Sequence, residues 1–524
     1  MKKNESPATS VSLLMLLGLL LALASLLTIS ACGGGSSSSS ASTGGGGGGG
    51  GSGEAPPCTF SAPSPGGSTS GAGVGNQIAE TYFGMHLNSY NAPWPFFNFG
   101  AQRLWAAGVS WPQIEATQGS FDWTLLDEWF ADPAQNGTSV DFLYTLARTP
   151  SWASQFPNDT TCSTAPGECD PPLDLNSDGS GADDYWIAWV TALAQHSAAQ
   201  KASGLSGISY YEIWNEWNTN AYWNPTNGTT AQLVRMEQDA RCVVEGKPPD
   251  ESCNPNSTFP SGTAIDPTAQ IVSPSPVGAA ANNMLGEVAS SLTSYFSTTV
   301  NGYPGGSFSD AIGFHGYVGT ATKAGSTSAP CPVPENVNIV IADLNQTIAN
   351  FPDSAAGKPL FNTEGGWSEA TVEGFTDQDR QAAFLPRYLL LQESNNISRV
   401  YWFAWDSKTL SSLYDDETGQ STLAATAYQQ VNLWSVGATV SQACSATGTV
   451  WSCGFTRSGG YKALAVWDAS QDCTTTSCPT TTFTVPSGGY TQYQDVAGNV
   501  TSLNGATSVQ IGAQPILLET GSLP

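Results

Sequence analysis

The feature that most constrains the fold is a regular alternation of short apolar segments and longer helical segments between Glu80 and Gly437. Eight short segments rich in β-branched and aromatic residues can be counted there. They are Tyr82–Leu87, Gln102–Ala106, Val140–Leu146, Ser209–Trp214, Gln270–Ser273, Ala311–Tyr317, Pro359–Thr363 and Val400–Trp405. Apolar runs of this kind are typical of parallel strands that are covered on both faces.

Helical segments lie between these strands, which favours a parallel sheet with helical crossovers. The clearest of them are Ala182–Ala202, Thr230–Glu245, Ala279–Phe296 and Asp377–Glu393. Eight repeats predict an α/β fold of the TIM type, a closed (β/α)8 barrel over residues 58–436. A doubly wound open sheet is the alternative.

After Val436 the helical periodicity stops, and short strand-like segments separated by turn residues follow. They are Ala463–Trp467, Thr482–Val485, Thr491–Asp495, Val509–Ile511 and Ile516–Glu519. This pattern predicts a small antiparallel β-sandwich domain over residues 437–524. We expect it to pack against the barrel, although a carbohydrate-binding role is the alternative.

The N-terminus has the pattern of a targeting segment. Lys2 and Lys3 precede an apolar run from Val11 to Leu27, and small residues lead up to Cys32, which predicts a secretory signal peptide over residues 1–32. Cys32 at the cleavage point resembles the lipobox of bacterial lipoproteins, which implies that Cys32 is lipidated. An uncleaved membrane helix is the alternative, but the run is short for a span.

Residues 33–57 are dominated by glycine and serine, which predicts a flexible tether between the signal peptide and the barrel. The expected location is therefore an exported lipoprotein, anchored to the membrane at the cell surface or the periplasmic face, or else extracellular. The chain carries 16 Lys and Arg against 43 Asp and Glu, a formal charge of −27. Such a surface repels nucleic acid and anionic lipid, so we expect neither as a partner, and we expect a monomer.

The cysteine count supports export. The chain has 11 cysteines, and setting Cys32 aside leaves an even number. Short spacings suggest the local pairs Cys162–Cys169, Cys242–Cys253, Cys444–Cys453 and Cys473–Cys478, which leaves Cys58 and Cys331 for a long-range bridge. Sequence alone does not determine this connectivity. No Cys-x-x-Cys pair with matching histidine spacing occurs, so a zinc site is not expected.

Two glutamates lie where barrel enzymes place their active sites, at the C-terminal ends of predicted strands. Glu216 ends the fourth strand and Glu364 ends the seventh, and these strands face each other across a barrel mouth. Hydrolysis of a glycosidic bond needs two carboxyl groups, one protonated and one ionised. The pair therefore predicts a glycoside hydrolase that needs no cofactor.

Three polar neighbours fit the same chemistry. Asn215, next to Glu216, suits a hydrogen bond to a sugar 2-hydroxyl. His315 and Tyr317 share one face of the sixth strand, because alternate strand residues point the same way. A tyrosine hydroxyl beside a nucleophilic carboxylate can hold it ionised and oriented.

The ordered set of these segments resembles the clan A glycoside hydrolases, through Asn215-Glu216 on strand four and Glu364 on strand seven. Further segments resemble glycoside hydrolase family 39, and the closest likeness is to its bacterial exopolysaccharide hydrolases. They are Arg103-Leu104-Trp105, Trp111, Glu115, Gly119–Trp123 and Thr149–Ser154. The resemblance covers roughly Thr81 to Glu519.

The resemblance implies a role for each matching residue. Glu216 is then the acid/base, Glu364 the nucleophile and Asn215 the contact to the 2-hydroxyl. Arg103 matches an arginine that steadies the nucleophile, and His86 matches a polar residue at the pocket floor. The family retains the anomeric configuration, so the two carboxyl groups are expected about 5–5.5 Å apart. Many relatives have proline where this chain has Trp217, a departure that bears on the shape of the subsites.

Trp405, at the end of strand eight, is the tryptophan we expect to stack on a sugar ring, and Trp152 is a second candidate. Core packing is the alternative for many of the 17 tryptophans. The segment Asp174–Gly179 resembles the start of a calcium loop, but Tyr185 replaces the glutamate at its twelfth position, so we expect a surface loop without a metal.

The expected activity is retaining, endo-acting cleavage of β-glycosidic bonds in a polysaccharide. An exo-acting enzyme of the β-xylosidase kind is one alternative. A surface protein that binds carbohydrate without catalysis is the other.

Overall fold

Eight parallel strands form the centre of the computed structural model, which describes residues 58–246, 264–278, 284–318, 330–367, 375–407 and 410–523. The strands are β1 (Phe83–Met85), β2 (Ala101–Leu104), β3 (Asp141–Leu146), β4 (Ile208–Ile213), β5 (Gln270–Val272), β6 (Ile312–His315), β7 (Leu360–Gly365) and β8 (Ile397–Trp402). Each overlaps one predicted strand. Hydrogen bonds join them in the order β5-β4-β3-β2-β1-β8-β7-β6.

The two edges of this sheet also meet. Val272 on β5 forms a parallel bridge with Ala311, just before β6. The backbone N–H of Ser273 donates to the carbonyl of Ala311 at 3.0 Å, and the N–H of Asp310 donates to Ile271 at 2.7 Å. Because β5 pairs with β6, the sheet closes, and the predicted (β/α)8 barrel is confirmed over the open doubly wound sheet.

Helices connect the strands and form the outer layer. They are α1 (Trp111–Ile114), α2 (Thr124–Gln135), α3 (Asp184–Ala202), α4 (Thr230–Glu245), α5 (Met284–Ser297), α6 (Val337–Ala349), α7 (Gln378–Ser394) and α8 (Leu423–Ser435). All four predicted helices are present, although residues 279–283 of one prediction lie outside the described residues. Local signals set their ends, as at α4, where Thr229 and Gln232 form a capping box.

Apolar side chains fill the lower half of the barrel and the space between strands and helices. One interior layer consists of Ala101, Leu143, Val272, Ala311, Phe361 and Tyr401. Layers of this kind make the barrel a packed core rather than a pore. The next inward-facing layer, toward the C-terminal ends of the strands, is polar and forms the candidate site.

The C-terminal region consists of antiparallel strands, as predicted. They are β9 (Thr439–Thr447), β10 (Val450–Thr456), β11 (Lys462–Asp468), β12 (Thr481–Thr484), β13 (Gln492–Gln494), β14 (Val500–Ser502), β15 (Ser508–Ile511) and β16 (Ile516–Glu519). Six strands form one sheet in the order β9-β10-β11-β16-β13-β14, and β12 pairs with β15. The sequence analysis missed β9, β10 and β14.

The six-stranded sheet has an apolar side chain layer on each face. On one face Trp467 donates its indole N–H to Glu335 at 2.9 Å, and Glu335 also accepts from Arg387 of α7 at 2.8 Å. On the other face Leu464, Val466 and Leu518 pack with side chains of the β12–β15 ribbon. The first face therefore joins the barrel, and the ribbon covers the second.

Four disulfides confirm the expected pairings. They join Cys58 to Cys331, Cys162 to Cys169, Cys444 to Cys453 and Cys473 to Cys478. Cys242 is also disulfide-bonded, and its expected partner Cys253 lies outside the described residues. Disulfides persist in oxidising compartments, which fits an exported protein.

The expected signal peptide, lipidation site Cys32 and tether fall in residues 1–57, outside the part of the chain that the structure describes. Within the described residues, no helix has the length and apolar character needed to cross a membrane.

Candidate active site

The candidate site is the polar layer at the C-terminal ends of the barrel strands. Side chains alternate along a strand, so the residue two positions beyond an interior apolar residue also points inward. This spacing brings Arg103 on β2, Thr145 on β3, Glu212 on β4 and Thr363 on β7 into one buried layer. Their contacts with one another show that they meet inside the barrel.

Glu216 owes its direction to an irregular backbone after β4. Trp214 and Glu216 both have left-handed backbone angles, with φ of 67° and 42°. Each such residue other than glycine costs about 1–3 kcal/mol and persists only when its surroundings hold it. Here the N–H of Glu216 donates to the carbonyl of Ser275 at 2.9 Å, which holds the turn against the loop after β5.

Glu364 is directed by a bulge in β7. The register of β7 with both neighbouring strands shifts between Asn362 and Gly365. In a regular strand Thr363 and Glu364 would point to opposite faces, but a bulge re-aims side chains. Both now contact groups inside the barrel, while Asn362 contacts α7.

The two glutamates meet at His315. A carboxylate oxygen of Glu216, one of Glu364 and a ring nitrogen of His315 lie within 4.8 Å of one another. His315 Nδ1 is 2.9 Å from Glu216 Oε1 and 3.9 Å from Glu364 Oε2. The structure therefore brings together the two acidic side chains that the sequence analysis singled out.

Glu364 has two strong hydrogen-bond donors. Arg103 Nη1 is 2.8 Å from its Oε2, and the Tyr317 hydroxyl is 2.6 Å from its Oε1. Burial raises the pKa of Glu364 and the nearby Glu216 raises it further, whereas Arg103 and Tyr317 lower it, and the net pKa is above its ordinary value. Arg103 and Tyr317 both favour the ionised form, because each donates to it.

Both histidines of the site are buried. Burial lowers the pKa of His315 to about 4, so its imidazole is neutral at neutral pH. Burial and the nearby Arg103 hold the pKa of His86 well below its ordinary value. His86 Nε2 lies 3.0 Å from the carbonyl of Thr363 and therefore carries the proton. His86 thus supports β7 from below, at the floor of the site.

Asn215 links the arginine to the open part of the site. Its Oδ1 accepts from Arg103 Nη2 at 2.7 Å. Its Nδ2 is buried and has no hydrogen-bond partner among the described residues. A buried donor without a partner is costly, so this amide is placed to donate to a bound group.

Three side chains, Asn362, Tyr388 and Gln392, form a clamp behind His315 and Tyr317 that the sequence pattern does not predict. Asn362 Oδ1 accepts from the N–H of Gly316 at 2.9 Å, and Asn362 Nδ2 donates to the Tyr388 hydroxyl at 2.7 Å and to Gln392 at 2.8 Å. The Tyr388 hydroxyl donates back to the carbonyl of Gly316 at 2.7 Å. A Cβ on Gly316 would lie 2.5 Å from Asn362, so only glycine fits.

The clamp left weak signals in the sequence. Asn362 is a polar residue within an apolar strand, and Tyr388 and Gln392 are four residues apart on α7, so they share one helix face. Nothing in the sequence alone connects that face to β7.

Trp405 does not offer a ring face to a sugar, contrary to the sequence-based expectation. It is only 1% exposed, its N–H donates to the carbonyl of Pro93 at 2.7 Å, and its ring stacks on Tyr414 at 5.3 Å. The ring surface of Trp405 on which a sugar would stack is therefore covered by neighbouring side chains. Trp152 is half-buried and keeps some accessible surface, although its N–H donates to Glu115 at 3.0 Å.

Other aromatic residues line the C-terminal loops. Trp105 follows β2, and the guanidinium of Arg148, after β3, lies 4.9 Å from the centre of its ring. Tyr222, in the loop after β4, meets the edge of the same indole at 5.3 Å. Trp217 is 8% exposed and packs against Tyr295 at 6.2 Å, so its ring belongs mostly to the core.

Among the described residues, two groups are close enough to hold a metal ion. One is Glu216, His315 and Glu364, where Arg103 already supplies positive charge. In the other, Cys162 and Cys169 form a disulfide, which leaves only two carboxylates. In the suspected calcium loop, Asp174 accepts from the N–H of Asp184 at 2.6 Å, so one of its oxygens caps α3 instead.

We predict that the imidazoles of His86 and His315 become protonated only well below the ordinary histidine pKa of about 6.5, because burial opposes a charge on both side chains. Protonation would favour the unfolded chain, so these two residues stabilise the fold above the unfolded pKa and lose that effect as the pH falls. The measurement is a pH titration by NMR of protein with ¹⁵N-labelled histidine. His315→Gln assigns the resonances of His315, and titration of either His86 or His315 near pH 6.5 would contradict the prediction.

Comparisons with known proteins give a likeness in structure only. No family model matches the chain, and no curated protein matches it. A solved family 39 glycoside hydrolase from the gut symbiont Bacteroides cellulosilyticus WH2 is 16% identical, with a TM-score of 0.53 over 84% of this chain and 82% of that one. A monomeric beta-xylosidase from Caulobacter crescentus CB15 is 15% identical, with a TM-score of 0.49 over 80% of this chain and 89% of that one.

At such identities the similarity establishes the fold and leaves the activity to the site itself. The strand order, the closed parallel sheet and the match to the family 39 structure agree on that fold. The chain therefore has a (β/α)8 barrel fold like that of the solved family 39 glycoside hydrolase.

Proposed function

We propose that the protein is a retaining glycoside hydrolase that cleaves β-glycosidic bonds in a polysaccharide or oligosaccharide. The observation that carries this proposal is the pair Glu216 and Glu364, whose nearest oxygens lie within 4.8 Å at the mouth of the barrel. Retaining enzymes hold their two carboxyl groups about 5–5.5 Å apart, and inverting enzymes about 6.5–9.5 Å. The close spacing supports retention.

The partners of the two carboxyl groups support different roles. Glu364 accepts from Arg103 and from Tyr317, so its ionised form is stabilised and its position fixed, as a nucleophile requires. Glu216 contacts the neutral His315 and has a side chain that is 14% exposed, so it can hold a proton and reach a leaving group.

The reaction proceeds in two displacements. Glu364 attacks the anomeric carbon, the glycosidic bond breaks, and the proton of Glu216 passes to the leaving oxygen. Water then gives a proton to Glu216 and attacks the same carbon, which breaks the bond to Glu364. Each step inverts the anomeric centre, so the product keeps the original configuration.

Asn215 suits the transition state. Its Oδ1 is held by Arg103, which leaves the buried Nδ2 to donate to the sugar. A hydrogen bond to the 2-hydroxyl strengthens as the oxocarbenium ion forms. Asn215 would therefore add to the rate more than to ground-state affinity.

Alanine substitution at either glutamate tests the assignment. On aryl β-glycosides we expect Glu364→Ala and Glu216→Ala to lose activity by at least about 100-fold, since each removes a group that the transition state needs. Added azide should distinguish them: it should give the α-glycosyl azide with Glu364→Ala and the β-glycosyl azide with Glu216→Ala.

The matched control is Glu237→Gln, a buried carboxylate on α4 that contacts Tyr295 outside the site. It should keep wild-type activity. Near wild-type rates in either alanine variant would refute the assignment, and sugar binding by an inactive wild-type protein would instead favour a binding role.

We further propose endo-acting cleavage. Partly exposed aromatic side chains lie on loops after β1, β3 and β4, including Phe96 at 51% exposure, Trp152 and Tyr222. Aromatic surface spread around the mouth suits a chain of several sugar rings. Trp152 replaces Trp405 as the preferred platform.

Product sizing tests endo action. Incubation with a panel of β-linked polysaccharides should give oligosaccharides of mixed length at early times. Trp152→Ala should raise KM for the polysaccharide more than for an aryl monoglycoside. Release of monosaccharide alone from the start would favour an exo-acting enzyme.

We also propose that the mature protein is exported and held at a membrane by lipid on Cys32, a position supported by the apolar run before it. Wild-type protein expressed in a bacterium should fractionate with membranes. Cys32→Ala should release it or leave it unprocessed, and an unchanged mature membrane fraction would count against the lipid anchor.

A further inference from the structure

A third carboxylate, Glu212, lies directly beneath the pair. It is fully buried on β4, four residues before Glu216, and no step of the proposed reaction uses it. A buried carboxylate carries a large desolvation cost unless it is paired and hydrogen-bonded. Its place beside the reacting groups therefore raises the question of what it does there.

Three hydrogen bonds and one further ion-pair contact, from three partners, hold Glu212. Arg103 donates to its Oε2 through Nε at 2.8 Å and lies 2.7 Å away through Nη2. Thr145 donates to Oε2 at 2.7 Å, and Ser275 donates to Oε1 at 2.5 Å. Thr363, next to Glu364, donates in turn to Ser275 at 2.8 Å. These donors all favour the ionised form.

The charge state of Glu212 follows from these contacts. Burial raises the pKa of Glu212, but the charge of Arg103 and the hydrogen bonds from Ser275 and Thr145 lower it, and its net pKa is below its ordinary value. Glu212 is therefore ionised at neutral pH. Arg103 faces two buried anions, Glu212 and Glu364, and has one positive charge to share.

The contacts of Glu212 fix the orientation of the Arg103 guanidinium. Nε of Arg103 donates to Glu212 Oε2, and Nη2 lies 2.7 Å from the same oxygen while it donates to Asn215 Oδ1 at 2.7 Å. Because the guanidinium is planar and rigid, fixing that edge aims the remaining Nη1 at Glu364, 2.8 Å away. The contacts that Arg103 makes with Glu364 and with Asn215 therefore both depend on its contact with Glu212.

We propose that Glu212 is a positioning residue that shares the charge of Arg103 with Glu364 and so keeps Glu364 a strong nucleophile. This inference rests on the proposed function. Without the charge of Glu212, Arg103 would stabilise the Glu364 carboxylate more, which makes that group a weaker base and a weaker nucleophile. The same change makes it a better leaving group, so the first displacement would slow while the second would not.

The other charged and titratable groups around Glu364 are known from its contacts. They are Arg103 on β2, Glu216 after β4, and His315 and Tyr317 on or after β6, with His86 near Arg103. A Glu212→Gln variant leaves all of them in place. A change in the titration of Glu364 in that variant therefore reports the charge at position 212.

The test is Glu212→Gln, measured with aryl glycosides that have poor and good leaving groups. We expect kcat for the poor leaving group, which depends on the first displacement, to fall about tenfold or more, a loss of about 1.4 kcal/mol. With the good leaving group kcat should change little. The acidic limb of kcat/KM should move to lower pH by about one unit, since removing a nearby anion favours ionisation of Glu364.

Glu212→Asp is the conservative variant. It keeps the charge, so its acidic limb should stay at the wild-type pH even if its kcat falls. Glu237→Gln again controls for the loss of a buried carboxylate, and thermal midpoints report folding. If Glu212→Gln does not fold, Glu212→Asp decides: an acidic limb at the wild-type pH supports the proposal, because the charge is retained, and a limb moved by about one unit overturns it.

Two results with folded Glu212→Gln would overturn the proposal: wild-type rates and pH profile, or an equal loss on every substrate with no shift of the acidic limb, which marks a purely structural residue. A ¹³C NMR titration of the Glu364 carboxyl, assigned with Glu364→Gln, measures the same shift without turnover. If the wild-type protein is inactive, the proposed function is refuted. The NMR titration would still test whether the charge of Glu212 changes the ionisation of Glu364.

Discussion

The buried guanidinium of Arg103 is the interaction on which the site depends. It lies inside the barrel with no exposed surface and holds Glu212, Glu364 and Asn215 at 2.7 to 2.8 Å. A charge in that position is tolerable only when it is paired and its donors are satisfied. The polar layer that contains Arg103 therefore depends on the apolar layer beneath it, because the apolar layer supports it rigidly.

Two departures from regular backbone geometry aim the proposed reacting groups. Left-handed angles at Trp214 and Glu216 turn the chain after β4, and a bulge turns Glu364 inward on β7. A regular strand would leave Glu364 facing the helices. Irregular backbone at the end of a regular strand thus brings two acids together on a stable scaffold, and the hydrogen bond from the Glu216 N–H to the neighbouring loop holds the turn in place.

The sequence predicts the scaffold well because strand and helix periodicities are local. All eight barrel strands and three of the expected short-range cysteine pairs agree with the spacing in the sequence. The bulge in β7 and the clamp made by Asn362, Tyr388 and Gln392 depend on contacts between distant segments, which spacing does not reveal. Trp405 fails as an expected platform for a related reason, because its burial is decided by Tyr414 and the loop after β1. The strands β9 and β10 were missed because serine, threonine and glycine break their apolar pattern.

The bond between Cys58 and Cys331 closes a loop of 273 residues at the first described residue of the chain. Residues beyond it run beside the C-terminal sheet, where Ser68 bridges Ser445 and Gln77 bridges Thr439. Without this disulfide, a pulling force on the chain ahead of Cys58 would break these edge pairings one after the other. The covalent link passes the force to Cys331 instead, so a load applied ahead of Cys58 bypasses the weak edge pairing and enters the fold between β6 and α6.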